Sequence, residues 1–256
     1  MYIIGDVHGC LKTLLALIKK LPTDEEIILT GDLIDRGPSS KEVVQWVMDN
    51  SDRCRSVVGN HEQMLLNAHK EPDINNMDIW TWNGGIATLD SYFPETIKKN
   101  VFYRIDEDEH NYLARLNELK QARNRIDIPQ DHLDFFESMP QYIKEGDLFI
   151  SHTSWNMRIP FENVIKLDDS KGYFKGLTWF RGTPGRLPDN MFHVFGHTPI
   201  SKPEITDYYA DIDTGACFVG SIGYGKLTAL HYPSMQIYQQ ENLDFPDVIK
   251  LSSGKN

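Results

Sequence analysis

Gly5-Asp6-Val7-His8-Gly9, Gly31-Asp32-Leu33-Ile34-Asp35-Arg36-Gly37 and Gly59-Asn60-His61-Glu62 each place acid-base or metal-binding side chains directly after a short apolar run. The runs are Tyr2 to Ile4, Ile27 to Leu29 and Val57 to Val58, brief and β-branched enough for buried strands. Between the first two, Leu11, Leu14, Leu15, Ile18 and Leu21 recur at helical spacing, and Pro22 stands where a helix commonly stops. Before the third, Val43, Val44, Trp46 and Val47 give a second helix its core face, and Ser39 or Ser40 can cap it. Strand, helix, strand, helix, strand predicts an α/β fold with parallel strands and right-handed crossovers. All three blocks then sit at the carboxyl ends of strands, where such sheets bind ligands, and should converge.

Outward from the blocks, the segment after Glu62 continues helically to about Lys70. Residues 71 to 126 contain the aromatic cluster Trp80-Thr81-Trp82, a Gly84-Gly85 break and a charged run from Asp106 to His110. They read as a mostly helical insertion packed over one edge of the sheet and shaping substrate access, with the charged run a solvated face. Asp127 to Met139 reads as a helix ended by Pro140. A second set of strands follows: Asp147 to Ser151 leading into His152, Met191 to Phe195 leading toward His197, Tyr208 to Asp213, and a hairpin of Leu227 to Tyr232 with Met235 to Tyr238. Residues 155 to 190 read as loop-rich. One domain over residues 1 to 240 is expected, with a frayed polar tail over 241 to 256.

Of the 256 residues, 40% are hydrophobic and 25% charged, enough apolar material for one sizeable core. A net charge of −11 opposes binding to nucleic acid or to anionic membranes, so a polyanionic substrate must be attracted locally, by metal ions or arginines. Cys10, Cys54 and Cys217 are odd in number and widely spaced, which points to neither a disulfide framework nor a thiolate metal site. No run approaches the roughly 18 to 20 apolar residues of a membrane span. A cytoplasmic protein is expected.

Asp6 and His8 are two apart and project to one side if strand geometry continues. Carboxylate and imidazole together suit Mn²⁺, Fe²⁺ or Zn²⁺. Asp32 can bridge two ions, Asn60 offers an amide oxygen, and His152 and His197 can complete a second site. The six describe a dinuclear centre with positions open to water.

These blocks resemble those of the phosphoprotein phosphatase family of calcineurin-like metallophosphoesterases, most nearly the bacterial and bacteriophage-type serine/threonine phosphatases. Trp82-Asn83-Gly84-Gly85, Trp179-Phe180-Arg181, Phe195-Gly196-His197-Thr198-Pro199 and Asp213-Thr214-Gly215-Ala216 extend the likeness across about residues 2 to 232. The resemblance implies two stacked mixed β-sheets flanked by helices, and two divalent ions, Mn²⁺ first and Fe or Zn as alternatives. It makes Asp6, His8 and Asp32 ligands of one ion, and Asp32, Asn60, His152 and His197 ligands of the other. His61 becomes the general acid, hydrogen-bonded by Asp35, and Arg36 and Arg181 clamp the phosphoryl oxygens beside Asn60 and His61. Arg186, in the same loop as Arg181, is the other candidate for that clamp. An activated water attacks phosphorus in line, with no covalent phosphoenzyme. The family usually has His-Ala-Gly or His-Ala-Asp where this chain has His152-Thr153-Ser154, and the C-terminal region of eukaryotic members is absent from the pattern.

The expected activity is therefore metal-dependent phosphomonoester hydrolysis by a serine/threonine protein phosphatase acting on a phosphorylated protein or peptide. The first alternative is a symmetrical dinucleoside polyphosphate hydrolase or another nucleotide phosphatase. Asp35 and Glu62 favour the phosphatase, since the nucleotide hydrolases often differ at both positions. A second alternative, a non-catalytic scaffold, would be marked by a missing ligand or a missing His61. A nucleic-acid phosphoesterase conflicts with the acidic balance. Oligomeric state has no readable signature.

Overall fold

A computed structural model describes residues 1–71, 74–93, 128–167 and 176–245. Strands β1 (Tyr2–Ile4), β2 (Ile27–Leu29) and β3 (Cys54–Ser56) run parallel, with helices α1 (Leu11–Ile18) and α2 (Ser40–Asp49) as the crossovers. The third strand thus precedes the expected Val57-Val58, which lie in the turn leading to the third block. Helix α3 (Asn60–Lys70) begins inside that block. Helices α4 (Ile74–Trp80) and α5 (Ile86–Tyr92) flank a π-helical turn, Thr81–Gly85. The insertion is helical where described, but α4 lies against α3 and α5 against α2, so it covers helices instead of a sheet edge. Met77, Trp80, Leu89 and Tyr92 are apolar and join the main core, which is the reason. The charged run from Asp106 to His110 lies outside the described residues.

Helix α6 (Gln130–Ser138) precedes β4 (Tyr142–Glu145) and β5 (Leu148–Ser151), a hairpin whose first strand the sequence reading missed. A short helix α7 (Phe161–Val164) follows, then β6 (Phe192–Phe195), β7 (Glu204–Ile205), β8 (Tyr209–Asp211), β9 (Lys226–His231) and β10 (Gln236–Glu241). Two five-stranded mixed sheets result, ordered β10-β9-β1-β2-β3 and β4-β5-β6-β8-β7. The period of two in a strand divides the core between them. Ile3 and Ile28 face Ile150, Val194 and Ala210 of the second sheet, whereas Tyr2, Ile4, Ile27 and Leu29 face the helices with Leu14, Leu17 and Val47. On the outer side of the second sheet, Phe149 packs with Trp155 and Val164.

The expected frayed tail is docked at its start. Asn242 donates from Nδ2 to the Ala216 carbonyl at 2.8 Å, and Asp244 accepts the N–H groups of Lys12 and Thr13 at 3.1 and 3.0 Å. Those are the N2 and N3 positions of α1, whose own N-cap residue, Cys10, makes no side-chain cap bond. Ser39 likewise makes no cap bond to α2, and Ser40 Oγ instead accepts the Asp35 N–H at 3.0 Å. Among the described residues no helix is long and apolar enough to cross a membrane.

Candidate dinuclear metal site

The first two blocks clasp each other through backbone, His8 N–H donating to Asp32 O and Gly9 N–H to Leu33 O, both at 2.8 Å. Strand geometry does not continue from Asp6 to His8, because β1 ends at Ile4 and His8 takes φ 46°. Asp32, Asp35, Arg36 and His197 also have φ between 49° and 74°, a region costly for residues with a Cβ. The contacts around them must hold these turns. Gly196 shows how closely they fit, since a Cβ there would collide with the Asp6 carboxylate.

Asp32 Oδ2 is the centre of the arrangement, 3.7 Å from His8 Nε2, 3.8 Å from His61 Nε2 and 3.4 Å from His152 Nε2. Among the described residues, two sets of buried side chains have ligand atoms within 4.8 Å of one another, namely His8, Asp32 and His61, and Asp32, His152 and His197. Asn60 joins the second set, its Oδ1 2.9 Å from His152 Nε2. Asp6 lies buried beside these sets. Its oxygens accept Thr30 Oγ1–H and the His197 N–H, both at 3.0 Å, and Oδ1 lies 4.0 Å from His152 Nδ1.

The imidazole orientations fit a cation. His152 Nδ1 donates to the Thr30 carbonyl at 2.8 Å and His8 Nδ1 to the Ile34 carbonyl at 2.9 Å, which leaves Nε2 of each ring turned inward, as in a metal-binding histidine. His152 Nε2 lies 2.9 Å from Asn60 Oδ1 and 3.0 Å from His197 Nδ1, so three potential ligand atoms converge there. Oxygen and imidazole donors without thiolate fit a hard or borderline divalent ion.

Burial would raise Asp32, but His152 and His61 outweigh it and hold the carboxyl well below its ordinary value. Burial would lower His152, yet Asp32 and Asp6 push it up to about 9. Burial lowers His197 to about 2, helped by His152 and by the Arg181 guanidinium. Burial and Asp213 raise Asp6.

His61 Nδ1 lies 2.6 Å from Asp35 Oδ2 with both residues buried, and its Nε2 faces Asp32. Arg36 Nη1 donates to His8 Nε2 at 2.6 Å, and its guanidinium lies 5.3 Å from the centre of the Phe218 ring. Arg181 is exposed at the edge of the site, near enough to act on His197. Arg186 lies over the Tyr208 ring, 5.2 Å from its centre. Thr153 and Ser154, the departures beside His152, are buried, and Ser154 Oγ donates at 3.3 Å to the Gly182 carbonyl, next to Arg181.

Four further residues, Glu62, Asp213, Trp80 and Thr88, have places that local pattern does not reveal. Glu62 does not face the site; its carboxylate accepts the N–H groups of Asp32, Leu33, Ile34 and Gly59 at 2.7 to 3.3 Å. Its identity therefore reports on loop shape and gives no reason to prefer a phosphoprotein over a nucleotide. Asp213 is buried among Asp6, Asp32 and Arg36, with burial the main cause raising it to about 6. Its motif was visible but carried no role. Trp80 and Thr88, from the insertion, contact Asp35, and no local pattern marks them.

The sequence profile of the family described as calcineurin-like phosphoesterase matches residues 1–216. An asymmetrical bis(5'-nucleosyl)-tetraphosphatase from Bacillus velezensis is 27% identical, covering 94% of this chain and 92% of its own length. A symmetrical bis(5'-nucleosyl)-tetraphosphatase from Escherichia coli O139:H28 is also 27% identical, over 93% and 94%. The fold is shared with a protein serine/threonine phosphatase from Saccharomyces cerevisiae, with a TM-score of 0.57, 14% identity and coverage of 96% of this chain and 81% of that one.

Proposed function

The chain belongs to the calcineurin-like phosphoesterase family, and we propose that within it this protein hydrolyses dinucleoside polyphosphates. The observation that carries this reading is likeness over more than nine-tenths of both chains to two tetraphosphatases, beside a buried cluster of carboxylate, amide and imidazole side chains suited to divalent ions. It replaces the protein phosphatase as the first choice, because Glu62, one ground for that choice, is turned onto backbone.

Asp6, His8, Asp32, Asn60, His152 and His197 would hold two divalent ions, with Mn²⁺ the first candidate. When bound, these ions would polarise the phosphoryl oxygens and acidify the attacking water. Arg36 and Arg181 grip the phosphoryl oxygens, a task suited to guanidinium geometry. Water adds to phosphorus in line, the bond to the departing nucleotide oxygen breaks, and His61 gives that oxygen a proton from Nε2. Asp35 fixes the ring through Nδ1.

The buried His61 and Asp35 pair supports phosphomonoester hydrolysis on a phosphoprotein as a second reading, since a serine alkoxide leaves only with a proton. One Mn²⁺-loaded preparation, with a chelated control, is given diadenosine tetraphosphate and a phosphoserine peptide in parallel. Dinucleotide cleavage dominating supports the first reading, and its products tell central cleavage (ADP alone) from asymmetrical cleavage (ATP and AMP). Dominant peptide turnover would overturn it in favour of the phosphatase.

A further inference from the structure

Asp35 is fully buried, and among the described residues its side chain meets, beyond His61, uncharged donors supplied by the insertion. Trp80 Nε1 donates to Oδ1 and Oδ2 at 3.1 and 3.0 Å, and Thr88 Oγ1 donates to Oδ1 at 2.6 Å. The same segment holds the neighbouring backbone. Thr88 Oγ1 accepts the Asp35 N–H at 2.9 Å, and the Gly84 carbonyl accepts the Arg36 N–H at 3.1 Å. Asp35 and Arg36 both have positive φ, at 72° and 68°, so neither side chain reaches its place by default backbone geometry. Gly84, at φ 108°, packs where a Cβ would meet Arg36 Cγ at 2.7 Å. It lies in the π-helical turn between Trp80 and Thr88, and such turns recur at functional sites.

We propose that Trp80 and Thr88 are positioning residues for catalysis, holding the Asp35 carboxylate so that His61 presents Nε2 to the departing oxygen. The proposal rests on the acid role assigned to His61 above. It makes the 74–92 segment part of the reaction machinery as well as a cover over α2 and α3. Neutral donors suit the task, because a second cation at Asp35 would compete with His61 for the carboxylate. A hydrogen bond to a charged group removed from one side of this pair should cost kcat about ten-fold.

The test uses Trp80→Phe, which keeps a ring and loses the N–H, Thr88→Val, which keeps the shape and loses the hydroxyl, and Thr88→Ser, which restores it. Each is prepared with Zn²⁺, which leaves proton spectra sharp. The first readout is the low-field proton resonance of His61 Nδ1–H, assigned by its disappearance in His61→Ala. It should shift in Trp80→Phe and Thr88→Val and return in Thr88→Ser. The second is steady-state hydrolysis of diadenosine tetraphosphate, in which kcat should fall about ten-fold in the first two variants with KM within about two-fold. An unmoved resonance, or its absence from the parent protein, overturns the proposal, as does a change in KM alone. A shifted resonance in a protein that cleaves no dinucleotide sustains the positioning role and overturns the substrate reading.

Discussion

The Oδ2 atom of Asp32 lies 3.4 Å from Nε2 of His152 and belongs to both sets of metal-competent side chains, so one carboxylate joins them. Asp32→Ala should therefore lose both ions, whereas His197→Ala should lose about one of two, because only the second set contains it. Elemental analysis of the purified variants checks this. Full metal content in Asp32→Ala would remove the bridging role.

Glu62 closes four backbone N–H groups of two loops onto one carboxylate. Glu62→Ala leaves them buried without an acceptor, at an expected cost of about 3 kcal/mol or more. Urea unfolding reads the loss. A midpoint equal to that of the parent would mean that water or a neighbouring group replaces the carboxylate.

Asp244 caps α1 from more than 200 positions along the chain, with Thr13 Oγ1 also donating to it at 2.6 Å. Asp244→Ala should destabilise the protein by about 1 to 2 kcal/mol, the usual worth of an N-cap. Asp244→Asn, which keeps an acceptor, should recover most of this in the same unfolding experiment.

Burial, with the Asp213 carboxylate adding to it, raises Asp211 to about 8. Between the ordinary carboxylate value near 4 and about 8, the folded chain holds a proton that the unfolded chain has released. The stability contributed is complete below about pH 4 and is lost as the pH rises to about 8. Asp211→Asn removes this dependence, so the variant should gain on the parent between about pH 4 and about pH 8 and hold a constant difference above that. A difference in urea midpoint that stays constant between about pH 4 and about pH 8 would contradict the assignment.

The two loop arginines are separated by what they touch. Arg181 acts on His197, while Arg186 lies over Tyr208. Arg181→Ala should raise KM for diadenosine tetraphosphate about ten-fold or more, the worth of one charge-assisted contact, and Arg186→Ala should leave it within about two-fold. The reverse pattern in initial-rate kinetics would transfer the clamp to Arg186.

Local pattern sufficed for the parts of this protein built from contiguous residues. The strands β1 and β2 fall where the apolar runs stand, α2 buries Val43, Val44 and Val47 as its spacing demands, and His152 directly follows β5. Period and composition are enough there, because burial of one face decides each element. Element ends were less legible. β3 stops before Val57 and Val58, whose apolar side chains pack from a turn, and β4 is too polar at Lys144 and Glu145 to declare itself without its partner.

What the sequence by itself determined is which acid-base and metal-competent side chains stand near strand ends, since these are written in three short blocks and two later histidines. Tertiary structure alone decided which atoms meet. Asp6 turns to Thr30 and His197, Glu62 to four backbone N–H groups, Asp35 to Trp80 and Thr88, and Asp244 to the start of α1. Each of these pairings joins buried polar groups distant in sequence or reversed by a positive φ. A buried donor or acceptor must find some partner, but chain order does not say which one the folded backbone brings within 3 Å.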